Sequence, residues 1–307
     1  MRFIAFVKAT PKYEAGAPPD PKTMEAMNKG QEDMMKAGVM RSTTSNDFQF
    51  DVAAARRLEA IYSTPDVIGQ RREVLRALAL RPAERVLDIG SGPGLLALEM
   101  AAAVERSGIV CGIDLSDSMI AVSEARCSEF PWVTFQKADA VRLPFPDARF
   151  DAAVSSQVYE YLGDVAPALA ELCRVLRPGG RAVILDTDWD SIVWHSSDAA
   201  RMRRVLAAWE EHLADPRLPR TLAPKLAQAG LRIERREVIP LFNPELHENT
   251  YSHGLIGLVG GFVIGRKGIR REEVEAWAGD LRQLGADGAY FFSLNRYLFV
   301  AVKPGAR

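Results

Sequence analysis

The sequence predicts a doubly wound α/β domain whose mostly parallel sheet has seven strands. From residue 51 onward, short Val/Ile/Leu-rich runs alternate with amphipathic stretches, the pattern of βαβ units. One run ends in a glycine loop, Val86-Leu-Asp-Ile-Gly-Ser-Gly-Pro-Gly94, that opens directly into a helical stretch. The chain closes on a long β-type run over residues 290–302, separated from the alternating part by a looser helical insertion.

Taken in order, residues 52–61 and 67–80 have helical spacing, the second opened by Thr64-Pro65-Asp66. Strands follow at 85–89, 109–113, 133–137, 150–155 and 181–185, with helices at 95–106, 117–130 and 164–176. Arg177-Pro-Gly-Gly180 reads as a turn feeding the last of these strands. Beyond residue 190, helices are expected at 198–213, 222–229 and 272–284 and strands at 231–239 and 290–302, a closing pair that brackets the insertion. The glycine-rich run 254–265 resists rigid helix formation and is expected to be a mobile lid. Residues 47–307 thus form one domain with cap elements in 190–285. Residues 1–46 form a β-α appendage that cannot bury its own apolar face and invites exchange between two copies of the chain.

The 307 residues carry a net charge of −1, with 26% charged and 48% hydrophobic side chains, an ordinary globular balance. Such a balance offers no basic face for a nucleic acid. Cys111, Cys127 and Cys173 are scattered without metal-ligand spacing, so no metal is expected. The N-terminal apolar stretch is too short for a secretory signal, and no run reaches the ~20 residues of a membrane span, so a cytoplasmic protein is expected.

The glycine loop carries the chemistry. Gly90, Gly92 and Gly94 let backbone approach a ligand where a Cβ would collide, and the following helix offers free N–H groups. A dinucleotide loop has glycines in the same place, so the neighbouring acids decide the ligand. Asp88, inside the strand before the loop, would repel a pyrophosphate and attract an ammonium. That sign, with a GxGxG spacing one residue shorter than the dinucleotide fingerprint, favours the methionine tail of S-adenosylmethionine over NAD. Asp114, after the second strand, suits both ribose hydroxyls, Met119 the face of an adenine, and Asp139, after the third strand, its exocyclic amine. Leu115, Ala140 and Ser155 complete the expected cofactor set.

The acceptor is expected above the carboxyl ends of the fourth and fifth strands. Tyr159, Trp189 and Trp194 suit the walls of an aromatic or apolar pocket, joined by Tyr62 and Arg220. His195 and Tyr159 are the candidate catalytic side chains, His195 as a general base if the acceptor must lose a proton. Asp186, Asp188 and Asp190 alternate along one segment, which reads as a solvated or capping edge before it reads as a metal site.

These residues, with Leu143-Pro-Phe-Pro-Asp147, Arg149-Phe-Asp-Ala-Ala-Val154 and Leu172-Cys-Arg-Val-Leu-Arg-Pro-Gly-Gly180, resemble the Rossmann-like class I S-adenosylmethionine-dependent methyltransferases. The likeness spans about residues 65–188 and is nearest the small-molecule branch of ubiquinone and menaquinone C-methyltransferases. It implies methyl transfer to a small molecule. The Asn/Asp-Pro-Pro-aromatic motif of enzymes acting on nucleobase amines is absent, and Ser155 stands where metal-dependent catechol enzymes place an acid. Alternative readings are a cofactor-binding protein without turnover and an NAD-dependent oxidoreductase. Residues 2–10, 14–16 and 36–40 resemble the opening of the YCII-related family, from which no activity is carried over.

Overall fold

A computed structural model describes residues 59–305. The expected appendage over 1–46, its exchange between copies, its YCII likeness and most of the helix expected at 52–61 lie outside the described residues.

Strands β1 (Arg85–Ile89), β2 (Ile109–Asp114), β3 (Val133–Lys137), β4 (Phe150–Ser156) and β5 (Leu176–Thr187) are parallel, in the order β3-β2-β1-β4-β5. The order reverses between β1 and β4, which makes the crevice above their carboxyl ends the natural ligand position. Strand β8 (Phe292–Val302) runs antiparallel between β5 and β7 (Arg232–Asn243). The expected seven strands are all present, and a two-residue β6 (Val193–Trp194) adds an eighth on β8. The Arg177 to Gly180 turn is absorbed into the start of β5, where a register shift against β4 takes up the extra residues.

Buried strands with helices on both faces need apolar side chains on both sides. In β1, Leu87 and Ile89 face one core with Leu169 and Leu172 of α4 (Ala166–Val175) and Leu222 and Leu226 of α6 (Pro219–Gln228). Val86 faces the other, with Val74 and Leu78 of α1 (Pro65–Leu78) and Leu96 and Met100 of α2 (Leu95–Val104). Helix α3 (Asp117–Arg126) follows β2 and is capped by the Ser116 hydroxyl, which accepts from the Met119 N–H.

The insertion contains α5 (Ala199–Trp209), α6, α7 (Tyr251–Val263) and α8 (Arg271–Ala286). Helix α7 corrects the expectation for residues 254–265, because the run is a regular helix with Leu255, Ile256, Val259 and Val263 buried. Two of its glycines serve close approach instead. A Cβ on Gly254 would lie 2.4 Å from Cγ1 of Ile61, and one on Gly260 3.1 Å from Cγ1 of Val274. Trp277 of α8 is fully buried and meets Trp194 edge to face at 5.4 Å, which ties the cap to β6. Among the described residues no helix is long and apolar enough to cross a membrane.

Trp277→Ala is expected to cost about 3–5 kcal/mol of stability in urea unfolding, the range for emptying a buried aromatic site. A loss below about 1 kcal/mol would mean that the cap does not depend on this contact.

Candidate functional site

The site begins where β1 ends. Asp88 is 2% exposed and its Oδ2 has no hydrogen-bond partner. Burial, reinforced by the charge of Asp114, pushes its carboxyl up to about 7. Above it the loop doubles back in left-handed backbone at Gly90 (φ 71°), Gly92 (φ 50°) and Gly94 (φ 77°), a region costly for other residues. The amides of Gly90 and Ser91 both donate to the Ile113 carbonyl at 2.8 Å, which pins the loop to β2. Gly90 and Gly94 are also sterically required, since a Cβ there would lie 2.3 Å from Val158 and 2.8 Å from Ser123. At Gly92 nothing lies within 4 Å, so the tip of the loop faces open space.

Asp114 stands at the end of β2, its Oδ2 accepting from the Gly92 N–H and its Oδ1 from the Ser116 N–H, both at 2.9 Å. Each oxygen keeps a lone pair for a further donor. Burial raises its pKa against these amide bonds. Next to it Leu115 is 61% exposed, an apolar side chain left uncovered, while Met119 is buried on α3. Asp139 is exposed in a tight turn after β3, its Oδ1 accepting from the Val141 N–H at 3.1 Å, and Ala140 beside it is buried.

The ends of β4 and β5 add a second group of buried polar atoms. The hydroxyl of Ser91 and Nε2 of Gln157 are buried without a hydrogen-bond partner, while the Tyr159 hydroxyl lies against that of Ser155 and the Asp186 carboxylate against the backbone amides of Val158, Tyr159 and Glu160. Native structures leave few such polar groups buried at one end of a sheet, and Ser91 and Gln157 keep hydrogen-bonding capacity there for a ligand. Gln157 adopts left-handed backbone (φ 59°), unusual for a residue with a side chain, and its Oε1 accepts from the Thr187 hydroxyl at 2.8 Å. Glu160 is buried, accepts from the Thr187 N–H at 3.1 Å, and is pushed up to about 7 by burial. Burial and the neighbouring Glu160 raise Asp186 well above the carboxylate range.

The expected acceptor residues divide. Tyr62 is half-buried within the electrostatic reach of Tyr251, Arg296, Glu160 and Asp114, so it borders the site. Tyr159 lies fully buried beneath it, and burial holds its hydroxyl protonated, which removes it as a base. Trp189 packs edge to face on Trp209 and His212 at 5.7 and 5.4 Å, and the Trp194 indole donates to the Tyr290 hydroxyl at 3.0 Å. Both are cap core. Arg220 is exposed and pairs with Asp188 through two bonds of 2.6 and 2.9 Å and with Asp190 at 2.9 Å. That clamp also explains two of the three alternating acids. Among the described residues no cluster of side chains is arranged to hold a metal ion. His195 is exposed at the end of β6, its backbone N–H on the Phe291 carbonyl, which leaves it outside the buried group.

Sequence reasoning missed Gln157, Glu160, Tyr161, Tyr251 and Arg296. Arg296 did leave a signal: it is the lone charge in the apolar run 290–302.

Fold and loop together define a doubly wound domain with a cofactor crevice at its switch point. Residues 87–184 match the family described as methyltransferase domain. A 37.1 kDa uncharacterized protein of a Streptomyces fradiae transposon is 37% identical over 158 residues, 52% of this chain and 45% of that protein. A 2-phytyl-1,4-naphthoquinone methyltransferase of Synechococcus elongatus is 38% identical over 119 residues, 38% of this chain and 51% of that enzyme. The chain thus spans about half the length of the curated relatives it matches. In fold it is similar to a Haemonchus contortus phosphoethanolamine N-methyltransferase solved with S-adenosylmethionine, with a TM-score of 0.57 at 20% identity over 84% of this chain and 59% of that one. The matched segment is thus similar to a methyltransferase domain, within a fold shared with enzymes solved with S-adenosylmethionine.

Asp88 gives a stability prediction. Its carboxyl holds a proton up to about pH 7 when folded, against about 3.9 unfolded. The folded ligand-free protein therefore loses stability as pH rises from about 4 to 7 through this group, with no further loss above. Asp88→Asn should raise Tm more at pH ~8 than at pH ~5, by several degrees. An equal change at both pH values would show that the carboxyl is not strained by burial.

Proposed function

We propose that the chain transfers the methyl group of S-adenosylmethionine to a small aromatic or apolar acceptor held above the carboxyl ends of β4 and β5. The observation that carries this reading is the unpaired, buried Asp88 carboxyl under a loop whose tip opens on empty space. An ammonium placed there would donate to the unpaired Asp88 oxygen and return the carboxylate to its charged form. In this reading Gly90, Gly92 and Gly94 lie along the methionine tail, with Ser155 beside it. Asp114 accepts from the ribose hydroxyls. Leu115 and Met119 bracket the adenine, which Asp139 and Ala140 meet at its edge.

S-adenosylmethionine supplies an electrophilic methyl on a sulfonium, and the protein's share is alignment and exclusion of water. Tyr62 and Tyr161 form the open wall on the acceptor side.

Calorimetric titration of S-adenosylmethionine into the wild-type chain and Asp88→Ala tests the cofactor site, with a loss of about tenfold or more expected for the variant. Wild-type affinity should also fall below pH ~7, by up to about tenfold per unit, because the cofactor must then displace a proton from Asp88. Affinity indifferent to both changes would refute the assignment. Transfer of a labelled methyl to one or more members of a panel of hydroxylated aromatics tests turnover. Tight binding with no transfer to any of them would favour a binding protein instead.

A further inference from the structure

Arg296 lies on β8 opposite Thr187 of β5 and Ile239 of β7, under α1, and is 2% exposed. A guanidinium removed from water ordinarily has a carboxylate against it, because an uncompensated buried charge is costly. Among the described residues no carboxylate lies within ion-pair distance of Arg296. Its Nη1 donates to Oε1 of Gln70, its Cζ lies 4.8 Å from the centre of the Tyr251 ring, whose hydroxyl accepts from the guanidinium and keeps its own proton to donate, and its Nε has no acceptor. Glu160 acts on it only through space, its own Oε2 being turned to the Thr187 amide.

The surroundings are donors. Tyr62 and Tyr251 lie in the field of Arg296, and burial holds both phenols protonated beyond the usual range. Tyr161, 46% exposed, lies in the same field and forms the open side. Through Tyr62 the group reaches the field of Asp114, so it lies beside the crevice assigned to the cofactor. A cation with an unused N–H, among hydroxyls that can donate, forms a receptor for an oxyanion.

We propose that Arg296, with the hydroxyls of Tyr62 and Tyr251, holds an oxyanion of the methyl acceptor, a phenolate or a carboxylate. This inference rests on the acceptor position argued under Proposed function and names the class of molecule that fills it. An acceptor bound as a phenolate has already given its proton to solvent. Its electron pair forms the bond to the methyl carbon while the carbon–sulfur pair returns to sulfur, leaving a neutral thioether.

The test uses the full chain saturated with S-adenosylhomocysteine, whose own affinity is measured first. 4-Nitrophenol is then titrated in and its ionisation followed by absorbance, with 4-nitrobenzoate as the carboxylate arm and 4-nitroanisole as the uncharged control. The wild-type chain should bind one of the two anions in preference to the anisole, and Arg296→Gln should weaken that anion by about tenfold or more. Tyr62→Phe, at a half-buried position, should cost a few-fold for the anion and little for the anisole. It carries the test if the circular dichroism of Arg296→Gln shows misfolding. Equal affinity for anisole and anions, or variants that bind the anion like wild type, would overturn the proposal. Failure to bind S-adenosylhomocysteine would instead sink the cofactor reading on which it rests.

Discussion

A carboxyl group sealed under a glycine loop with one oxygen unpaired is expensive to fold around, and the rest of the site is arranged about that expense. Asp88 sits on a strand whose neighbours Leu87 and Ile89 are fully buried, so neither water nor a charged side chain relieves it. Its raised pKa is the direct sign of the cost. The loop above could have supplied amides to it, but the amides of Gly90 and Ser91 turn to the Ile113 carbonyl and that of Gly92 turns to Asp114. The first acid stays hungry while the second is partly satisfied. In the proposed reading that difference separates a seat for a cation from a seat for hydroxyls.

The same economy recurs across the carboxyl ends of β4 and β5. Ser155, Tyr159 and Asp186 are buried there beside the half-buried Gln157, whose Nε2 is left without a partner. The parallel strands force these residues to converge, because each strand delivers its last side chain to the same crevice. The antiparallel β8 then brings Arg296 into the group from the opposite direction. No helix-and-strand alternation along the parallel part of the chain would place it there.

That contrast explains how much was legible in the sequence. Strands β1 and β3 fall at the expected residues, since a buried parallel strand is a short apolar run with sharp ends. The loop glycines and Asp88, Asp114 and Ser155 lie next to those ends, which is where local reading expected the site. The cap was harder. Glycines in α7 suggested flexibility, whereas two of them let Ile61 and Val274 come close, and such a contact joins residues distant in sequence. Trp194 and Arg220 have the composition of a binding site, but tertiary partners, Tyr290 for one and Asp188 for the other, occupy them. Arg296 and Tyr251 were missed because only the β5–β8 pairing and the packing of α7 bring them near Glu160.

The central claim is that Asp88 holds the cofactor's ammonium, and a paired ligand comparison tests it most directly. Binding of S-adenosylhomocysteine and of its desamino analogue, identical except for the ammonium, can be measured to the wild-type chain and to Asp88→Asn. The account predicts that the analogue binds the wild-type chain about tenfold or more weakly, and that the difference largely vanishes in the variant. A preference for the ammonium that survives unchanged in Asp88→Asn would contradict it.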